Sequence, residues 1–336
     1  MSGDPADPGR ARQDGAAAPP VRARLRLLLR LAVWLALAAG LVLLAQRLDW
    51  PQLRSALAAA DLRLLALVVV AGLPGLLCNA LRWQAVAAAV RPVSLLTVVA
   101  AQCVSYAASA VLPARAGEAV RFELLARGSG MGRAEAAGTV ALDHALNGLV
   151  MFAFAAALPL LLPVPRWMSL LIWGGTAAAL GFAAALLRLS RAPSARARPG
   201  RLQQLIARLR GGLVGLRDPR VVVPALLYSV GAWAVEIATT QIALAAFHLP
   251  HDVAHAMAVL FGVNLALAVP APPANLGSFE LGASLSLVAF GGSKEKAAAF
   301  ALGLHGVQLV STLVLGLAFL PYFRRKGLQA SPSTRR

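Results

Sequence analysis

Two short segments hold the residue types most suited to chemistry. Pro113-Ala114-Arg115-Ala116-Gly117-Glu118 and Pro273-Ala274-Asn275-Leu276-Gly277 share a Pro-Ala-x-x-Gly core, and Glu280 stands three residues beyond the second. Proline lacks a backbone donor and glycine relaxes the chain, so each core can stop one helix and let another begin within or near a membrane. A new helix opens with unpaired N–H groups and a positive dipole end, which suits an anion such as a phosphate. In the first segment, Arg115, Glu118, Arg121, Phe122 and Leu125 follow helical spacing. An arginine can grip a lipid phosphate with two hydrogen bonds, and a carboxylate can meet an amino head group. A surface ion pair fits the same spacing. The candidate substrate-binding residues are therefore Arg115, Gly117, Glu118, Arg121, Asn275, Gly277 and Glu280.

A second set of polar residues sits inside apolar runs. Glu236 lies near the middle of one, followed by Thr239, Thr240 and Gln241; Asp143, His144, Asn147, Asn264, His305 and Gln308 occupy similar settings. An ionisable group at membrane depth costs several kcal/mol unless paired, protonated or wetted, so each is a cavity or ion-coupling candidate. Each could equally lock helices together. His248, His251 and His255 form a histidine cluster at one boundary, but without a firm fourth ligand an interfacial loop is the preferred reading over a metal site. Cys78 and Cys103 both lie in apolar stretches, which disfavours a disulfide framework or thiolate-bound metal. No metal and no cofactor are expected.

These residues must be positioned by a membrane fold. Of 336 residues, 59% are hydrophobic and only 14% charged, with mean hydropathy +0.69. Soluble proteins carry roughly 25% charged residues, and this chain could not cover a water-facing surface. The net charge of +18 rests on arginine, with Lys294, Lys296 and Lys326 as the lysines. That bias looks partly compositional. Because the bases occupy short loops and tails, they suit anionic phospholipid head groups and do not require nucleic acid.

The expected fold is an all-α polytopic membrane protein with about eight transmembrane helices and two Pro/Gly-broken or re-entrant segments that fit inverted repeats. The spans read as 31–45, 62–81, 94–112, 137–162, 167–189, 221–247, 255–269 and 297–323; the broken segments are 113–127 and 270–290. Residues 1–20 and 327–336 read as disordered tails around a single transmembrane domain, 21–326. Within it, 191–220 is a basic loop whose Leu202, Leu205, Ile206, Leu209, Leu213 and Leu216 suggest an interfacial amphipathic helix. Basic residues there and at Arg324, Arg325 and Lys326 predict a cytoplasmic face and cytoplasmic termini in a cell membrane. Five spans ahead of the basic loop would put it outside, a clash that disappears if the Pro113 segment also crosses, fully or as one broken helix shared with a neighbour. The Pro270 segment must do likewise. Trp34, Trp50, Trp83 and Trp167 are expected in interfaces.

The block Leu-Pro-Ala-Arg-Ala-Gly-Glu-Ala-Val-Arg-Phe-Glu-Leu-Leu at 112–125 resembles a signature of the lysylphosphatidylglycerol synthase transmembrane family. Asn-Ala-Leu-Arg-Trp at 79–83 and Pro-Pro-Ala-Asn-Leu-Gly-Ser-Phe-Glu at 272–280 are similar to further blocks. The resemblance covers about Arg26 to Phe323 and implies movement of lipids or lipid-linked molecules between leaflets. Where the family shows an acid-Arg pair followed by an acid, this chain reads Asp143-His144-Ala145-Leu146-Asn147; where an arginine is frequent in the last span, it has His305. Both changes reduce fixed charge and point to pH sensitivity.

The expected function is therefore a flippase-like transporter of an anionic or aminoacylated lipid or lipid-linked molecule. A non-transporting scaffold or regulator of an envelope lipid enzyme is the alternative, which makes such an enzyme or a second copy of the chain a candidate partner. A lipid head-group transferase ranks last, since Gly-x-Ser-x-Gly, His-Glu-x-x-His and phosphate-loop patterns are missing from the sequence. The protein is expected not to be an enzyme.

Overall fold

The computed structural model describes residues 46, 49–112, 116–191, 201–268 and 273–325. The first expected span, both tails and the two Pro-containing segments 113–115 and 269–272, Arg115 included, lie outside them. The described residues are all-helical, with helices α1 (Trp50–Ala58), α2 (Leu62–Ala88), α3 (Leu95–Val111), α4 (Ala116–Ser129), α5 (Arg133–Leu161), α6 (Arg166–Arg191), α7 (Arg201–Gly211), α8 (Pro219–Ala246), α9 (Val253–Leu267), α10 (Ser278–Ala289) and α11 (Lys294–Arg325). Local sequence sets many of their starts. Asp49, Asp61, Ser94, Asp218 and Asp252 each cap a first turn by accepting a backbone N–H. The internal prolines Pro74, Pro159, Pro224 and Pro321 fall within the long apolar helices, as membrane helices allow.

Among the described residues, five helices are long and apolar enough to cross a membrane: α2, α5, α6, α8 and α11. The expected spans at 94–112 and 255–269 are instead single arms of helical hairpins. In the first hairpin, Gly117 of α4 lies so close to Ser105 and Ser109 of α3 that a Cβ would collide with them, while Gly128 faces Thr97. The arms are thus antiparallel, and Gly117 is there for close approach. The second hairpin repeats this, with Gly262 of α9 against Gly282 and Ser286 of α10. At 17 and 15 residues, α3 and α9 are about 25 and 22 Å long, short of a full crossing at 1.5 Å per residue.

Two halves emerge, each a long helix, a hairpin and a second long helix: α2, α3–α4, α5 and α8, α9–α10, α11. Helices α2 and α8 pack antiparallel, since the Asp61 N–H donates to the Ala246 carbonyl at 2.9 Å and Ala89 lies beside Gly215. The halves are therefore inverted. The α3–α4 hairpin leaves and rejoins the face at which α2 ends, where Arg91 donates to the Gly130 carbonyl at 2.8 Å. The α9–α10 hairpin does so from the opposite face, where Phe290 meets His255 edge to face.

This arrangement resolves the parity clash. The Pro113 segment does return the chain, but as the second arm of a hairpin whose two arms together leave sidedness unchanged. The 191–220 loop and the end of α11 then share one face: Tyr322 of α11 bonds Thr97 at the start of α3, 2.7 Å apart. The expected amphipathic helix is shorter than its leucine spacing suggested. Helix α7 stops at Gly211, and Leu213 and Leu216 continue into a turn packed against Leu142, Leu146 and Leu186. They anchor the loop to the protein body instead of lying on a lipid surface.

Candidate functional site

Long helices from both halves enclose a central cavity of about 540 Å³, into which the hairpins also reach. Its polar centre in the first half is a three-residue ion cluster. Asp143 of α5 accepts from Arg82 Nε of α2 and from Arg121 Nη2 of α4, each at 2.7 Å. Side-chain exposures of 4%, 3% and 0% for Arg82, Arg121 and Asp143 make this a buried cluster. Arg82 also donates to Asn147 Oδ1 at 2.9 Å, and Trp233 of α8 donates to the same oxygen at 3.1 Å. The guanidinium of Arg121 lies 4.1 Å from the Trp83 ring centroid, a cation–π contact. Removing one member would strand a buried charge, at roughly 3–5 kcal/mol.

Glu118 extends this cluster toward the cavity. Its carboxylate lies 3.8 Å from Arg121 and 3.1 Å from His144 Nε2. In the second half, His305 Nδ1 of α11 lies 2.7 Å from Glu280 Oε1, and the other Glu280 oxygen accepts the Gly277 N–H at 2.7 Å. The His305 ring stacks on Phe279 at 4.4 Å between centroids. Gly277 has φ 85°, a conformation glycine adopts freely; it follows Ala274 and Asn275 at φ 59° and 57°. These three positions turn the chain into α10. On the cavity wall, Glu236 is exposed and its carboxylate makes no hydrogen bond or ion pair among the described residues. Gln308 is exposed nearby, whereas the Asn264 amide donates to its own helix at Leu260.

The sequence candidates thus divide. Glu118, Arg121, Asp143, His144, Asn147, Glu236, Asn264, Asn275, His305 and Gln308 all line the one cavity. Gly117 serves hairpin packing, and Gly277 with Glu280 caps α10. Arg121 is spent on Asp143 and Trp83 and does not project as a free anion hook. Arg82 was missed as a site residue because its span was read as ending at 81, whereas α2 runs to Ala88. An arginine on an apolar run with Asn79 one turn earlier was the available signal. Trp83, expected at an interface, is fully buried. Among the described residues no cluster of three or more His, Cys, Asp or Glu could hold a metal, and His248, His251 and His255 face different partners.

The sequence matches a family model, the lysylphosphatidylglycerol synthase TM region, over residues 28–316. The chain belongs to that family. It is a multi-pass membrane protein. A search of curated proteins matched none of them.

Proposed function

We propose that this protein moves a lipid with a polar, anionic or aminoacylated head group, or a lipid-linked molecule, between membrane leaflets. The observation that carries the reading is the mid-depth cavity between two inverted halves, entered from opposite faces by paired hairpins. Its volume falls within the roughly 300–1,000 Å³ of small-ligand pockets, enough to take a head group while acyl chains stay in lipid. Broken helices in matching positions of inverted repeats recur at transporter binding sites. Glu118, His144, Glu236 and Gln308 supply accessible polar contacts, and the Arg82–Asp143–Arg121 cluster fixes the wall behind them. Alternating movement of the halves would carry the head group across without covalent chemistry.

The face holding Arg91, Arg133, Arg191, Arg208 and Arg324 is assigned to the cytoplasm of a cell membrane, where basic residues accumulate. Phospholipids are then the first partners. The test is a proteoliposome assay following fluorescent phosphatidylglycerol and aminoacylated phosphatidylglycerol between leaflets, with Glu118→Gln and Glu236→Gln beside the wild type. Movement above that of empty vesicles, slowed in the variants, supports transport. Rates equal to empty vesicles for both lipids would end it in favour of a scaffold.

A further inference from the structure

The inverted halves share a detail at side-chain level. Glu118 is the third residue of α4 and meets His144, the twelfth of α5; Glu280 is the third residue of α10 and meets His305, the twelfth of α11. One histidine–glutamate pair therefore occurs at the same place in each repeat. Eleven residue steps at 1.5 Å put each histidine about 17 Å along its helix, near mid-depth. The two copies differ in exposure. Side chains of Glu118 and His144 are 36% and 50% exposed, those of Glu280 and His305 10% and 6%.

We propose that these pairs are two proton-binding sites, one per repeat, that couple substrate movement to proton movement. The inference rests on the transport reading and adds its driving ion. Imidazole is the side chain whose ordinary titration spans neutral pH. In each pair one ring nitrogen faces the carboxylate, Nε2 in His144 and Nδ1 in His305, and the other is left to take a proton. A proton from water on one face binds that nitrogen and turns an anionic pair into a neutral imidazolium–carboxylate pair. Its release to water on the other face restores the anionic pair, so the proton is conserved over the cycle. A neutral Glu280–His305 pair costs less to enclose than one with unbalanced charge, so proton loading there favours closure of the arm that carries the glutamate; Glu118 is already balanced, with Arg82, Arg121 and Asp143, when His144 is unprotonated, so a proton on His144 leaves that cluster one positive charge to meet the anionic lipid. An anionic lipid carried with one proton moves no net charge.

The surroundings of the pairs differ as the proposal needs. Arg121 and Asp143 stand beside Glu118 and His144, with Arg82 of α2 behind Asp143; Tyr106 of α3 and Glu236 of α8 face them across the cavity. Around His305, α10 contributes Glu280, and the same Tyr106 and Glu236 are the titratable groups from α3 and α8, with Cys103 on α3. No other charged side chain among the described residues lies within salt-bridge distance of the Glu280–His305 pair.

The test uses the full chain in vesicles that carry fluorescent phosphatidylglycerol or phosphatidylethanolamine and enclose a pH-sensitive dye, with a gradient of one pH unit imposed. One proton per lipid shifts the steady-state leaflet ratio of phosphatidylglycerol about tenfold, because one unit corresponds to a factor of ten. The dye should report proton entry alongside lipid movement. His144→Gln and His305→Gln should return the ratio to one. If His305→Gln fails to fold, His144→Gln at the exposed pair decides alone. Label that moves in the wild type with a ratio of one and no dye response overturns proton coupling and leaves transport standing. If neither lipid moves, proton coupling falls, and the transport reading falls with it once aminoacylated phosphatidylglycerol also stays in its leaflet.

Discussion

Arg82 and Arg121 reach the same carboxylate from different helices, each 2.7 Å from an oxygen of Asp143. The first arginine comes from a long helix and the second from a hairpin arm, so the aspartate ties the hairpin to the frame. Asp143→Asn should leave buried Arg82 without a counter-charge and buried Arg121 with Glu118 alone, 3.8 Å away. We expect a loss of roughly 3–5 kcal/mol, seen as a marked fall in the thermal midpoint of the purified protein in detergent. An unchanged midpoint would show that the cluster is not structural.

Arg121→Lys keeps the charge but not the planar group that stacks on Trp83 while bonding Asp143. Its midpoint should lie between those of the wild type and Arg121→Ala. A lysine variant as unstable as the alanine would locate the stabilisation in the guanidinium geometry instead of the charge.

Gly117→Val places branched carbon where Ser105 and Ser109 already stand. The hairpin arms would have to separate, with an overpacking cost of typically 1–3 kcal/mol. Gly72→Ala, at a site open to the surroundings, should change stability by less than about 0.5 kcal/mol. Equal effects of the two would contradict the hairpin packing.

At the face opposite the basic loop, Asp252 caps α9 and meets His255 at 2.6 Å. Burial alone would raise its carboxyl, but the backbone N–H and the His255 contacts outweigh it and hold it below the usual carboxylate value. A lowered folded-state value means that this stabilisation is complete above the ordinary range near 4 and fades as pH falls through the folded value. Asp252→Ala should cost about 0.5–2 kcal/mol at neutral pH. The gap from wild type should narrow on acidification, as chemical unfolding at several pH values would show. A gap independent of pH would refute the cap.

Cysteines introduced at Arg208 and Lys294 should label from opposite faces with a membrane-impermeant reagent, since the chain crosses between them. Arg208 and Arg325 should label from the same face. Any other pattern would contradict the inverted halves.

The sequence disclosed the helical class, the repeated Pro-Ala-x-x-Gly cores and most cavity residues, because each breaks an otherwise apolar run. It did not disclose how the polar residues pair. Arg121 and Glu118 sit at helical spacing that fits a lipid-facing hook, yet their partners, Asp143 and His144, lie over twenty residues away on another helix. Hydropathy also counted α3 and α9 as spans, since a 17-residue apolar helix looks alike whether it crosses or turns back. Close approaches at Gly117 and Gly262 decide that question, and they depend on packing between segments.

Because each α3–α4 or α9–α10 unit finishes on the face where it started, it is neutral toward the orientation of everything downstream. Such a unit could be lengthened, exchanged or lost over evolutionary time without turning the following helices upside down. That freedom would let the cavity lining diversify while the sidedness of the long helices stayed constant.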